Sequence, residues 1–119
     1  MEVVNLNEKF SLFHDHWSPK IIGALNGQHV KLAKVQGEFV WHAHQDEDEL
    51  FFVVKGTLKI EFRDKTVEVN PGEMIIVPRG VEHNPIAEEE VWLMLFEPAD
   101  IKHTGDVEHT LTVKEYDQI

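Results

Sequence analysis

The interpretation of this 119-residue chain begins with one run, Gly37-Glu-Phe-Val-Trp-His42-Ala-His44-Gln-Asp-Glu-Asp-Glu49. Two histidines lie two residues apart, and a carboxylate, Glu49, follows five residues after the second. If residues 39–44 form a β-strand, His42 and His44 point to the same face, because side chains alternate along a strand. Two imidazoles beside a carboxylate are a suitable ligand set for a borderline-soft cation.

A third imidazole follows downstream, at His83 in Pro78-Arg-Gly80-Val-Glu-His83. Gly80 permits a tight bend that turns His83 inward. We therefore predict one metal site whose ligands are His42, His44, Glu49 and His83. Three nitrogens and one oxygen leave open coordination positions, as catalytic metal sites do. The expected cofactor is one divalent transition metal per subunit: iron, manganese, nickel, zinc or copper.

The identity of the carboxylate ligand depends on the turn that precedes Glu49. Glu49 has the opposite parity to the two histidines, so it faces them only if residues 45–48 reset the strand alternation. Asp46 and Asp48 have the matching parity, but we expect them in the turn itself. They remain competing candidates for the carboxylate ligand.

Composition restricts the class of protein. Hydrophobic residues make up 42% of the chain, which is enough for a folded domain with a core. The net charge of −11 would repel phosphate backbones, so we expect no nucleic-acid partner. Cysteine is absent, which excludes disulfides and thiolate chemistry. The apolar runs are too short to cross a bilayer and no signal-peptide pattern is present, so we expect no membrane partner and a cytoplasmic location.

Short alternating or apolar segments, separated by turn residues, predict about nine β-strands. Strong turn signals lie at Asn26-Gly27 and Asn70-Pro71-Gly72. This pattern predicts an all-β sandwich or barrel. The predicted strands cover residues 20–24, 29–35, 39–44, 49–56, 57–62, 66–69, 73–77 and 91–96, with an edge strand at 111–113. The strand over residues 73–77 is expected to be buried.

Residues 1–20 are expected to form a short arm or helix outside the barrel. Leu6, Phe10 and Phe13 have a helical spacing. His14 and His16, in a polar context close to a proline, are expected in a surface loop. Residues 50–54 are apolar on both faces, so either the arm or a second subunit must cover the outer face. The second possibility predicts a homodimer.

Two motifs in the chain resemble those of the cupins. The first, over residues 37–56, has Gly37, His42-Ala-His44, four further residues, Glu49, six further residues and Gly56. The second, over residues 72–87, has Gly72, five residues, Pro78-Arg-Gly80, two residues and His83. The first spacing is one residue short, and Ala87 stands where an asparagine is usual. Asn84 is a candidate to replace that asparagine.

The resemblance implies a single cupin domain over residues 1–119, with a jelly-roll β-barrel, a metal near one mouth and commonly a homodimer. It also implies that His42, His44, Glu49 and His83 are the metal ligands. Among small cupins, the chain looks most like those labelled phosphomannose-isomerase-like. A phosphosugar substrate is disfavoured, because the cations that could clamp a phosphate are expected in turns or on the outer face. These cations are Lys55, Lys59, Arg63, Lys65 and Arg79.

The function expected from this site is that of an enzyme acting on a small oxygen-bearing substrate, with Glu49 as the catalytic proton carrier. The resemblance does not choose between dioxygenase-like and isomerase-like chemistry. A non-catalytic, metal-dependent binding or sensing module is the alternative, and a metal-free acid–base site is a third. Strand parity predicts that Val40 and Phe51 flank the ligands, and that Met94 or Phe96 closes the far wall.

Overall fold

The computed structural model describes residues 1–99 and 115–119, which contain one short helix and eight strands. The all-β jelly-roll prediction is confirmed, as is the short N-terminal helix. The predicted edge strand at 111–113 lies outside the described residues. The elements are α1 (Leu6–Phe10), β1 (Lys20–Leu25), β2 (Gln28–Glu38), β3 (Glu49–Lys55), β4 (Leu58–Phe62), β5 (Thr66–Val69), β6 (Met74–Val77), β7 (His83–Pro98) and β8 (Asp117–Gln118).

The long strand β7 organises the sheet. The strand order is β5-β4-β7-β2-β1-β8, and β3 pairs with both β7 and β6. The first part of β7 pairs with β4, where His83 lies opposite Phe62. Its last part pairs with β3, where Phe96 lies opposite Leu50. The strand that carries His83 is therefore hydrogen-bonded to the strand that begins at Glu49.

Alternate residues of β2, β3 and β7 fill the interior of the barrel. Burial alternates with a period of two along β3 and the last part of β7, as a strand imposes, whereas residues 31–35 of β2 are all buried. Burying each of the larger aliphatic side chains contributes about 1.5–3 kcal/mol relative to leaving it exposed. The shared core includes Ala33, Val35, Phe51, Val53, Leu93 and Leu95.

The N-terminal arm packs on the outside of this sheet, as predicted. Helix α1 begins after Asn5, whose side chain accepts a hydrogen bond of 3.0 Å from the backbone N–H of Glu8. Phe10 is fully buried and stacks on Trp92 with ring centroids 4.6 Å apart. The cluster around Phe10 also packs against Val54, so the arm covers part of the outer face of β3. In the described part of the chain, no helix has the length and apolar character needed to span a membrane.

The expectation of a strand over residues 39–44 is wrong. Strand β2 continues through Gly37 to Glu38, with a register shift between Val35 and Gly37 in its pairing with β7. Gly37 has φ +85°, a left-handed conformation that glycine adopts without strain, so the chain passes through this irregularity instead of breaking. Residues 39–44 form only an isolated bridge, between His42 and His83.

Two expectations about side-chain direction are also wrong. Leu93 and Leu95 face the interior, whereas Met94 packs in the outer cluster with Phe10, so neither Met94 nor Phe96 closes the far wall. The pairing of β7 with β2 and β3 sets this direction. Strand β6 was expected to be buried, but Met74 and Ile76 are 58% and 52% exposed on its outer face.

Candidate metal centre

Four side chains converge inside the barrel: His42, His44, Glu49 and His83. All are buried, with none more than 4% exposed. One potential ligand atom from each residue lies within 4.8 Å of the others. This buried cluster could hold a metal ion, and its members are the four residues that the sequence singles out.

Backbone hydrogen bonds bring two of the histidines together although residues 39–44 are not a strand. The N–H of His42 donates to the carbonyl of His83 at 3.0 Å, and the N–H of His83 donates back at 2.9 Å. The N–H of Gly80 donates to the carbonyl of His44 at 2.8 Å. Gly80 has φ +77°, so the bend before His83 uses the conformational freedom of glycine, as predicted. Glu49 enters from the start of β3.

Two imidazole rings are oriented by backbone carbonyl groups. Nδ1 of His42 lies 2.9 Å from the carbonyl oxygen of Val40, and Nδ1 of His83 lies 3.0 Å from that of Val81. A carbonyl oxygen can only accept, so each Nδ1 carries the proton that it donates. In the neutral ring, Nε2 is then left with a free lone pair. In metal sites, a hydrogen bond from the ring nitrogen that does not bind the metal orients histidine ligands in the same way.

The unpartnered atoms of the cluster fit a cation. Nε2 of His42 and both ring nitrogens of His44 are buried and, within the described chain, have no hydrogen-bond partner. Oε1 of Glu49 lies 3.3 Å from Nε2 of His83 and 3.4 Å from Nε2 of His44. These separations exceed the roughly 2.7–2.9 Å of a charge-assisted hydrogen bond. Three imidazole nitrogens and one carboxylate oxygen suit a divalent transition metal.

Burial and mutual charge separate the protonation states of the cluster. Burial, reinforced by His83, lowers the pKa of His42 to about 4. Burial also acts to lower the pKa of His44, but the nearby carboxylate of Glu49 outweighs it and raises that pKa. Burial would raise the pKa of Glu49, but the close contacts with the imidazoles of His44 and His83 lower it. The metal-free cluster therefore contains an anionic Glu49 and a neutral His42 at neutral pH.

The competing carboxylates lie outside this cluster. Asp46 and Asp48 are both exposed. Oδ1 of Asp48 accepts a hydrogen bond of 2.9 Å from the backbone N–H of Arg79, so Asp48 holds the loop before His83. The turn at residues 45–48 thus resets the alternation and leaves Glu49 as the carboxylate beside the histidines.

Other polar residues named from the sequence have structural partners elsewhere. His14 and His16 are exposed, as expected, and Nε2 of His16 lies 2.7 Å from Oε2 of Glu90. Asn84 is buried, and its Nδ2 donates to Glu38 at 2.9 Å and to Glu61 at 3.3 Å. Asn84 therefore ties the start of β7 to both neighbouring strands.

A second buried acid, Glu97, was not identified from the sequence. Its Oε1 accepts a hydrogen bond of 3.0 Å from Nζ of Lys31, and its Oε2 has no hydrogen-bond partner among the described residues. Burial, followed by the charge of Glu49, raises the pKa of Glu97 to about 8, against the influence of Lys31. The alternation that places Leu93 and Leu95 inside also places Glu97 inside, so strand parity was a signal for it.

An apolar cavity adjoins the cluster. Eleven of the described residues line it, all of them buried, and His42 and Glu49 are the only polar ones among these eleven. Phe51 lines the cavity, in agreement with the prediction, whereas Val40 packs against the core and is not among the lining residues. Trp17 and Phe39 form another part of the wall. The cavity therefore has one polar corner, at His42 and Glu49, and is otherwise apolar.

Comparison with known proteins agrees with this architecture. A family profile described as a cupin domain, Cupin_2, matches residues 28–97. The uncharacterized protein YdbB of Bacillus subtilis (strain 168) is 41% identical over 63 residues, which are 52% of this chain and 56% of YdbB. The chain thus spans little more than half the length of that relative.

Two crystal structures share the fold along most of the chain. A cupin-2 domain containing protein from Shewanella frigidimarina NCIMB 400 has a TM-score of 0.80 and 54% identity, covering 81% of this chain and 94% of its own. Protein NMB1881 from Neisseria meningitidis has a TM-score of 0.75 and 32% identity, covering 82% of this chain and 100% of its own.

Proposed function

Because the chain belongs to the Cupin_2 family of cupin domains, we propose that it is a metal-dependent enzyme acting on a small oxygen-bearing molecule. The metal ligands in this proposal are His42, His44, Glu49 and His83. The observation that carries it is the pair of imidazoles whose Nδ1 atoms are bound to carbonyl groups, which leaves Nε2 of His42 unpartnered in the buried cluster. Cupin family members bind small-molecule substrates.

The metal would be iron, manganese, nickel, zinc or copper, and when bound it would supply Lewis-acid polarisation or redox capacity at a substrate oxygen. The protein would contribute orientation and water exclusion. His42 and His83 would keep their ring orientation through the carbonyls of Val40 and Val81. Glu49 is proposed as the catalytic residue that carries a proton, supported by its place in the lining of the cavity, where it can reach a bound substrate.

The decisive experiment is metal analysis of protein purified without added metal salts. The wild type is expected to contain about one transition-metal ion per subunit, and His42→Ala is expected to lose at least about tenfold in metal affinity. His14→Ala is the matched control, because His14 is an exposed histidine outside the cluster. Equal metal contents in the wild type and His42→Ala would remove the site assignment. Metal and ligand binding without any turnover would instead identify a binding or sensing module.

We also propose a homodimer formed through the outer face of β3 and β6. The N-terminal arm covers Val54, but Met74 and Ile76 are more than half exposed. Strand β6 pairs with β3 alone among the strands described here, so its other edge is open. An open edge with exposed apolar side chains is a surface that a second copy can cover.

Light scattering with size-exclusion chromatography tests the dimer. The wild type is expected at twice the chain mass of 13.8 kDa. Ile76→Glu should shift it to the monomer mass, because a charge would be buried in the interface. Leu12→Glu is the control, since Leu12 is 63% exposed on the arm. A wild-type protein found only at the monomer mass at micromolar concentration would contradict the proposal.

The two described ends of the chain support a single domain over residues 1–119, which we also propose. Nζ of Lys9 donates to the backbone carbonyl of Ile119 at 2.7 Å. Ile119 packs against the same cluster as Phe10. A single cooperative unfolding transition, seen alike by circular dichroism and tryptophan fluorescence, is the expected result.

A further inference from the structure

The wall of the cavity beside the candidate metal centre is partly built by the N-terminal arm. Trp17 precedes β1 and lies outside every strand, yet its side chain lines the cavity. Its indole stacks on the ring of Phe39, with centroids 4.4 Å apart and planes 9° from parallel. Pro19, from the same segment, lines the cavity as well. The arm therefore covers a chamber that the barrel alone would leave incomplete.

Trp17 is held in this position by several independent contacts. Its backbone N–H donates to the carbonyl of Lys34 at 3.0 Å, and its Nε1 donates to the carbonyl of Gln36, also at 3.0 Å. Its φ is +57°, a left-handed conformation that a bulky residue keeps only when its surroundings impose it. The preceding residue, His16, contacts Glu90 at 2.7 Å. These contacts fix the position of Trp17 in the wall of the cavity.

The cavity is small and almost entirely apolar. Its volume of about 30 Å³ has room for roughly two or three water molecules. No lysine or arginine of the described residues lines it. The nearby cations have other partners: Nζ of Lys31 donates to Glu97, and the backbone and guanidinium of Arg79 lie against Asp48. A phosphate or carboxylate buried away from the metal would therefore have no counter-charge, which makes its burial unfavourable.

We propose that Trp17 is a specificity-determining residue that closes the cavity over the metal-binding cluster and limits the substrate by size. The substrate class is a molecule of few non-hydrogen atoms, with one metal-binding oxygen group at His42 and Glu49 and a short uncharged apolar remainder. This inference rests on the proposed function, because the oxygen group requires a metal at the cluster. The remainder of the substrate lies against Trp17 and Phe39.

The test compares two hydroxamates that share one chelating group and differ in the apolar part. Zn²⁺-loaded protein is titrated calorimetrically with acetohydroxamate and with benzohydroxamate. The wild type is expected to bind acetohydroxamate at least about tenfold more tightly, a ratio within the range by which pockets discriminate apolar groups. Trp17→Ala is expected to abolish or reverse this preference. Trp92→Phe is the control, because Trp92 packs on Phe10 in the outer cluster and should keep the wild-type ratio.

Trp17→Phe keeps an aromatic ring against Phe39 and replaces Trp17→Ala if that variant fails to fold. The ratio of its affinity for acetohydroxamate to its affinity for benzohydroxamate should lie below that of the wild type. The inference is overturned if the wild type binds the two hydroxamates equally, or if the ratio is the same in the wild type and in the Trp17 variant. If the wild type takes up no Zn²⁺, the proposed function fails. The size limit is then tested by measuring phenol binding to the metal-free wild type and to the metal-free Trp17 variant. Phenol binding by the Trp17 variant alone supports the size limit, and equal binding by both proteins overturns it.

Discussion

The carboxyl group of Glu97 lies close enough to that of Glu49 for the charge of Glu49 to raise its pKa, so two buried acids are neighbours beside three histidines. Oε1 of Glu97 accepts a hydrogen bond of 3.0 Å from Nζ of Lys31, whose side chain is itself fully buried. Nζ of Lys31 also lies 3.7 Å from the ring centroid of Tyr116. A buried pair of polar side chains, Lys31 and Glu97, therefore adjoins the candidate metal centre.

Replacing Glu97 with leucine should destabilise the protein by about 3 kcal/mol, because the buried ammonium of Lys31 loses its carboxyl partner. Urea unfolding of the metal-free protein measures this change in the free energy of unfolding. The double variant Lys31→Met with Glu97→Leu should recover most of the loss, since it removes both polar groups together. The exposed Glu89→Gln serves as the control. Equal stabilities for the wild type and Glu97→Leu would refute the role of this contact.

The pKa values of His42 and His44 should be shifted in opposite directions in the metal-free protein. Glu49 raises the pKa of His44 despite its burial, whereas burial and His83 lower that of His42 to about 4. As pH falls from neutrality, His44 should gain its proton first and His42 only near pH 4. Because a metal binds the deprotonated ring, Zn²⁺ affinity should begin to fall at the pKa of His44.

Imidazole NMR titration of metal-free protein checks this order directly, and calorimetric Zn²⁺ titrations at several pH values check its consequence. Glu49→Gln removes the charge that raises the pKa of His44, so the midpoint of His44 should move to lower pH in that variant. The prediction is wrong if His42 gains its proton before His44 in the wild type.

Removing the ring of Phe10 should detach the arm from the sheet. Phe10 is fully buried and stacks on Trp92, so Phe10→Ala should cost about 3–5 kcal/mol in the free energy of unfolding. Leu12→Ala, in the same segment but 63% exposed, should change it by no more than about 0.5 kcal/mol. Chemical denaturation measures both variants. Similar losses in the two would contradict the packing described for the arm.

Gly56 should be far less tolerant of a side chain than Gly72. Both have left-handed backbones, with φ +84° and +82°. A Cβ at position 56 would lie 2.7 Å from the carbonyl oxygen of Glu90, whereas one at position 72 would meet nothing within 4 Å. Gly72→Ala should cost about 1 kcal/mol for the backbone conformation alone, and Gly56→Ala at least about 2 kcal/mol. Thermal unfolding of both variants measures the difference, and equal melting temperatures would exclude the steric contact.

Residue type and local spacing were enough to predict the barrel class and to choose the four members of the cluster. Imidazole and carboxylate chemistry belongs to the residues themselves, and the alternation of apolar residues correctly placed Phe51 inside. The glycine at position 80 likewise indicated the bend that precedes His83. Such properties are readable from the chain because they depend on neighbours within a few positions.

Three features depended on contacts between distant segments. His42 and His83 are aligned by a two-bond bridge and not by a regular strand, because Gly37 carries β2 past the expected break. Met94 faces outward because the pairing of β7 sets its parity. Trp17 reaches the cavity because backbone carbonyls of β2 hold the arm against the barrel. Local pattern specifies what each residue can do, whereas register and packing, which arise only when remote segments meet, specify what it faces.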